Sequence, residues 1–345
     1  GHAAGREDKS VGFIPPHLPE SGFTVQKRRY NGTRTLKENR QKHMQVALHV
    51  GAHFTDDDKL LGSLGKNTGI LERHGVVVPS PSSYRRQIRE LLNVDKGSLP
   101  SAGARDKLVA SMLGDARPDR IVLSNSNFFA VPRAAIRGNQ LYPQAEERLS
   151  YLAELMQPDQ LEILLAIRDP ATFLPAIVNG SPVETIEEAT DGSVPLSLRW
   201  SELILRIREA LPHVSVTVWC NEDTPLIWEE VMREMAGLDP IARLEGGNDL
   251  LHDIMSPEGL SRFNAYLESH SGLTEVQKRR VIAAFLDKFA LEEELEEELG
   301  LRAGTLQHTV ALYNEDVANG EDTQFHKAAE WLQQLELSKQ QRSRD

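Results

Sequence analysis

Cysteine is almost missing from this chain. The single one, Cys220, cannot form an internal disulfide, so no oxidised framework holds the fold. It follows the apolar run at residues 214–219, and a buried, inert thiol is favoured there over a reactive one. No apolar stretch approaches the roughly 18 residues of a membrane span, which excludes that class of segment. The apolar core of a signal peptide is lacking as well, and these absences together lead us to expect a cytoplasmic protein. An excess of positive charge is also missing. With 39 Lys and Arg against 51 Asp and Glu, the net charge is -12, which argues against a general nucleic-acid or anionic-membrane partner. An unknown small molecule or protein is the expected partner.

What is there is first of all size and pattern. The 345 residues can bury a substantial core, with 40% hydrophobic and 26% charged residues as in ordinary globular chains. Residues 1–43 combine Pro15-Pro16 with basic groups such as Lys27, Arg28, Arg29 and Arg34 and show no periodicity. They read as a disordered basic tail or, since Met44 makes a natural start, as an extension ahead of the native chain. From there, short runs rich in Val, Ile and Leu recur at 45–50, 75–78, 120–123, 161–167 and 214–219. Continuous apolarity over so few residues predicts strands covered on both faces, as in a parallel sheet. Amphipathic stretches at 83–92, 142–156 and 198–211 separate them, so the fold class expected is α/β, three-layer and doubly wound on a mainly parallel five-stranded sheet.

After the fifth run the chain turns helical. One helix is predicted over 224–238, with Pro225 in its first turn, and Ser256-Pro257-Glu258 opens another. Thr274 and Gln277 form a capping box before a helix over 281–298, with Gly300 as its stop. The glutamate run 292–298 reads as a solvated face over the apolar stripe of Leu291, Leu295 and Leu299. The expected organisation is a tail at 1–43, an α/β domain at 44–250 and a helical extension at 251–340 packed on it.

The most informative stretch follows the first apolar run: His49-Val50-Gly51-Ala52-His53-Phe54-Thr55-Asp56-Asp57-Asp58-Lys59. Strand, short loop and helix in succession make a phosphate-binding layout, in which backbone N–H groups and a helix N-terminus cradle an anion. The side chains disagree. Three successive aspartates would repel a dianion, and the helix dipole offers only about half a charge against them. Asp56, Asp57 and Asp58 read instead as caps of their own helix. A metal site is not expected, because helical neighbours point about 100° apart and rarely share one ion. His49 and His53 have zinc-like spacing, but His49 lies in a strand. The stretch 62–68, which contains Gly65-Lys66, lacks the Walker spacing and is a decoy.

This loop resembles the nucleotide-binding start of cytosolic-type sulfotransferases, especially bacterial ones. A second stretch, Ile163–Ile167 followed by Arg168-Asp169-Pro170, is similar to the family's strand ending in an arginine that contacts the nucleotide 3′-phosphate. Arg120–Phe129 and the run from 214 to 238 resemble the family's middle and late strands, so the resemblance spans roughly residues 44–240. It implies a P-loop-type nucleotide-binding fold, with Gly51, Ala52, Thr55 and Arg168 as cofactor-binding residues. The cofactor would be 3′-phosphoadenosine 5′-phosphosulfate if the chain is active, with His53 or His49 as the nearest base. Four positions depart from the family. Phe54 replaces the phosphate-contacting lysine, Asp56 the glycine, Ala176 (followed by Ile177 and preceded by the helix-interrupting Pro175) the serine, and Ser126 a glutamate. The resulting expectation is a degenerate, non-catalytic member with a binding or interaction role, and an active sulfotransferase with a hydroxyl or amine acceptor is the alternative. Arg168 then either holds a phosphate or forms a salt bridge with nearby carboxylates, Asp56–Asp58 among them.

Overall fold

A computed structural model describes residues 43–93, 99–291 and 326–327. The basic tail and the glutamate run at 292–298 therefore lie outside the described residues, as does Gly300. Within them the elements follow the order β1 (Gln45–His49), α1 (Lys59–Gly65), α2 (Thr68–Arg73), β2 (Val76–Val77), α3 (Arg85–Leu92), α4 (Ala104–Leu113) and β3 (Arg120–Ser124). Next come a small hairpin of β4 (Ile136–Arg137) and β5 (Gln140–Leu141), then α5 (Ala145–Met156), β6 (Gln160–Ile167), α6 (Pro170–Gly180), α7 (Ile186–Ala189) and α8 (Trp200–Ala210). The last group is β7 (Ser215–Cys220), α9 (Thr224–Ala236), α10 (Leu251–Ile254), α11 (Pro257–Ser269), α12 (Glu275–Phe289) and β8 (His326–Lys327).

The expected α/β architecture is present. Five strands pair in parallel in the order β2-β3-β1-β6-β7, and the two-residue β8 adds antiparallel to β7. The alternation of side chains along each strand divides the core into two layers. Val46, Leu48, Ile121, Leu123, Ile163, Leu165, Val216 and Val218 join one cluster, covered by α3, α4, α5, α6 and α8. Ala47, Val122, Leu164, Ala166 and Trp219 face the other, under α1, α2 and α9. Both faces are dry, which is why the runs read as continuously apolar. Each fully buried aliphatic side chain contributes about 1.5–3 kcal/mol.

Several boundaries differ from expectation for local reasons. The predicted helix from 83 begins at Arg85, because Pro81–Ser83 takes a separate tight turn. The segment predicted to be helical from Tyr142 starts at Ala145, since Tyr142 sits at φ 47°. Pro175 does not interrupt α6: the helix runs from Pro170 to Gly180 through it, held by buried Phe173, Leu174, Ile177 and Val178 around the missing N–H. The capping box of Thr274 and Gln277 is formed, but α12 begins at Glu275 and ends at Phe289. Beyond it Ala290 bridges to Met255, which turns the chain away from the helical path.

The described part of the C-terminal third is helical and packs on α9. Lys278 pairs with Glu229 at 2.9 Å, Arg279 with Glu230 at 2.5 Å and Arg233 with Glu275 at 3.2 Å, while Leu251, Met255, Phe263 and Ile282 form a small separate core. No described helix is long and apolar enough to cross a membrane. Cys220 is buried, as its apolar surroundings predict.

One consequence of the strand order positions the site. The chain leaving β1 travels toward β3 and β2, whereas the chain leaving β6 travels toward β7. Their carboxyl ends therefore open a crevice, the usual ligand position in open α/β sheets.

Candidate functional site

The loop after β1 enters this crevice still paired to β6. Val50 N–H donates to the Leu164 carbonyl at 3.0 Å, Ala52 N–H to the Ala166 carbonyl at 2.6 Å, and Ala166 N–H to the Gly51 carbonyl at 2.7 Å. Gly51 sits at φ 92°, a backbone region that favours glycine, and a Cβ there would press on Ser126 Cα at 3.3 Å. The next amide, His53 N–H, donates to Tyr142 Oη at 3.1 Å. Thr55 Oγ1 donates to the Ala52 carbonyl at 2.9 Å and so staples the loop to itself. Two of the loop amides, those of Ala52 and His53, are thus engaged within the protein.

His53 is 2% exposed and fully partnered. Its Nδ1 lies 2.8 Å from Tyr142 Oη, and its Nε2 lies 3.2 Å from Asn127 Oδ1. Because the Tyr142 oxygen accepts the His53 N–H, its proton is available to Nδ1, and Nε2 then donates to Asn127. Burial lowers the His53 pKa, while the bond to Asn127 acts in the other direction. The neutral tautomer that results carries its proton on Nε2. Tyr142, packed against Phe129, Phe173 and Trp200, is held protonated because burial raises its pKa.

His49 occupies the carboxyl end of β1 on the opposite face. Its ring stacks on Trp219 with centroids 5.7 Å apart, and its Nδ1 lies 2.9 Å from Ser124 Oγ. Nε2 is buried without a hydrogen-bond partner among the described residues. Burial lowers this pKa also, although Asp56 and Asp58 pull the other way. The two histidines, four apart in sequence, make separate contacts, and among the described residues no group of three or more His, Cys, Asp or Glu side chains could hold a metal.

The aspartates part company. Asp56 does cap: its Oδ2 accepts from Leu60 N–H at 3.2 Å, and its carbonyl accepts from Lys59 N–H at 2.8 Å. Asp58 stands at the N-cap position with φ 67° but makes no side-chain cap. Its carboxylate takes a two-pronged bond from Arg85, at 2.7 and 2.5 Å. The arginine that holds Asp58 is therefore Arg85. Arg85 also donates from Nε and Nη2 to the Ser124 carbonyl, at 2.9 and 2.7 Å. Tyr84 Oη donates to the same oxygen at 2.9 Å and accepts the Ser124 N–H at 3.0 Å, locking the carboxyl end of β3.

Arg168 comes to the loop, as its place after β6 predicts. Its Nη1 donates to the Phe54 carbonyl and its Nε to Thr172 Oγ1 at 3.0 Å. Asp169 caps α6 by accepting from Ala171 N–H at 2.8 Å, with Pro170 in the first helical position, so the Arg-Asp-Pro motif has a complete helix-start role. Phe54 adopts φ 57°, and its ring lies against Gly180, where a Cβ would collide with it. The decoy segment 62–68 falls in α1 and α2, where Ser63 and Asn67 bind Asp249 and Glu245 of a neighbouring loop.

Gly51, Ala52, His53, Thr55 and Arg168 are thus gathered at one crevice, with His49 on the other side of the sheet. Tyr84, Arg85 and Tyr142 escaped the sequence reading. No spacing signals them, since Tyr142 reaches His53 across 89 positions and Arg85 reaches Asp58 across 27. No family model and no curated protein matches the chain at a significant level.

Proposed function

We propose that this chain keeps a sulfotransferase-like scaffold of the P-loop type and serves as a binding protein, not as a sulfo-transferring enzyme. The observation that carries this reading is the closed state of the loop. The N–H groups of Ala52 and His53 already bind Ala166 and Tyr142, and the guanidinium of Arg168 binds the Phe54 carbonyl. A nucleotide phosphate would have to break these contacts and approach Asp56, Asp57 and Asp58 without a lysine to offset them. His53 would be a poor base in this state, because its exposed-side nitrogen donates to Asn127.

Hydrogen exchange in the presence of adenosine 3′,5′-bisphosphate tests the reading. Millimolar nucleotide is expected to leave the amides of residues 50–58 and 168–172 unchanged. Micromolar binding that protects them would overturn it in favour of an active nucleotide site. The ancestry is tested separately by the double substitution Phe54→Lys with Asp56→Gly, which is expected to gain protection there. A folded variant with no gain counts against the sulfotransferase-like origin.

A further inference from the structure

A cavity of about 490 Å³ opens beside the crevice, between α3, the turn after β3 and α5. Its size suits a small molecule rather than a polymer. Four arginines line it, Arg85, Arg86 and Arg89 from α3 and Arg148 from α5, and none of the described residues that line it is acidic. That is unusual on a chain of net charge -12. Two of the four are neutralised: Arg85 by Asp58, and Arg86 by Glu90 at 2.9 Å. Among the described residues Arg89 and Arg148 have no carboxylate partner. Arg148 is half-buried, and removal from water lowers its pKa, while the charge of neighbouring Glu147 acts in the other direction without forming an ion pair.

The remaining polar lining offers donors as well. Asn125 uses its side-chain oxygen to accept Asn127 N–H at 3.0 Å, and Asn127 uses its own to accept from His53 at 3.2 Å. Both side chains therefore have their NH2 groups to offer the cavity. Ile88 and Phe128 supply an apolar, buried floor. Two guanidinium groups without an ion-pair partner among the described residues, set with amide donors over an apolar floor, are complementary to several negative oxygens on a compact body.

We infer that this cavity binds a small, multiply charged oxyanion, an organic phosphate or a polycarboxylate. The inference goes beyond the loop reading and does not depend on the ancestry of the fold. It gives the binding role a ligand class and a place outside the phosphate loop. A nucleic-acid chain is disfavoured, because it would meet the acidic remainder of the surface.

Calorimetric titration with pyrophosphate and, in parallel, citrate tests it on the full chain. Saturable binding of at least one is expected, weakening as salt rises. Preference for pyrophosphate assigns phosphate chemistry, and preference for citrate assigns carboxylate chemistry. The double substitution Arg89→Gln with Arg148→Gln is expected to weaken binding about tenfold or more, while Arg137→Gln, at the exposed position of β4, leaves it unchanged. Asn127→Asp, which retains an oxygen for His53 but adds a negative charge to the cavity, is expected to weaken it too. The inference is overturned if neither probe binds at millimolar concentration. It is equally overturned if the Arg89/Arg148 variant, folded by its thermal melt, binds like the parent, or if a random-sequence oligonucleotide binds more tightly than either probe.

Discussion

The loop after β1 and the cavity beside α3 lie at the same carboxyl edge of the sheet, yet their polar groups are in opposite states. In the loop, His53 meets Tyr142 and Asn127, Asp58 meets Arg85, and Arg168 meets the Phe54 carbonyl. In the cavity, Arg89 and Arg148 have no carboxylate among the described residues. A closed network contributes stability and resists a ligand, because binding must first break bonds that water does not fully replace. An open set of donors contributes little to stability and has its bonding capacity left for something else. Arg85 belongs to both regions, lining the cavity while clamped to Asp58. It marks the boundary between a loop turned inward and a cavity turned outward.

This contrast can be broken most sharply at Tyr142. Replacing it by Phe removes the hydroxyl that serves both His53 N–H and His53 Nδ1, leaving buried groups unpaired. A loss of about 2–3 kcal/mol is expected in urea unfolding, with pyrophosphate affinity unaltered. A loss of affinity without a loss of stability would show that the two regions are not separate.

Proton linkage gives the next largest effect. His49 and His53 have folded-state pKa values below the ordinary 6.5 because burial disfavours their charged forms. As pH falls through that value, the unfolded chain takes up protons that the folded one does not, so stability declines with acidification. The slope reaches at most about 1.4 kcal/mol per pH unit for each histidine, until the folded imidazoles also protonate. Denaturation midpoints between pH 7.5 and 5 check this, and His53→Gln should flatten the dependence. An unchanged slope in that variant would mean that His53 is not held neutral.

Asp58→Asn probes the boundary itself. Releasing Arg85 from its carboxylate is expected to raise pyrophosphate affinity about threefold, at a stability cost of about 1 kcal/mol or less for so exposed a pair. Smallest of all is the stability effect of Arg89→Gln with Arg148→Gln, expected to lie within about 0.5 kcal/mol because no described partner is orphaned. A large destabilisation there would identify the arginines as structural.

Much of the fold was legible before any coordinates. Short, continuously apolar runs can be buried on both faces only in a covered sheet, and the five of them became the five parallel strands. Caps were legible for a similar reason: Ser256 and Thr274 accept from the amides three residues on, a purely local geometry. The β4–β5 hairpin was not legible, since each strand has only two residues and shows no period. The site was legible in part. The crevice residues on β1 and β6 follow from strand ends, but the partners that set their protonation and charge come from α3 and the segment before α5.

By itself the sequence determined the sheet, its two covered faces and the strand–loop–helix passage that carries three successive aspartates. These depend on periodicity and on residue type, which are properties of neighbours along the chain. Only the tertiary structure decided that Asp58 is held by Arg85, that Tyr142 closes over His53, and that Arg148 joins the arginines of α3 with no ion-pair partner among the described residues. Those outcomes depend on which side chains meet across dozens of intervening residues. The energy of a charge or donor is set by what faces it, and no local pattern records that.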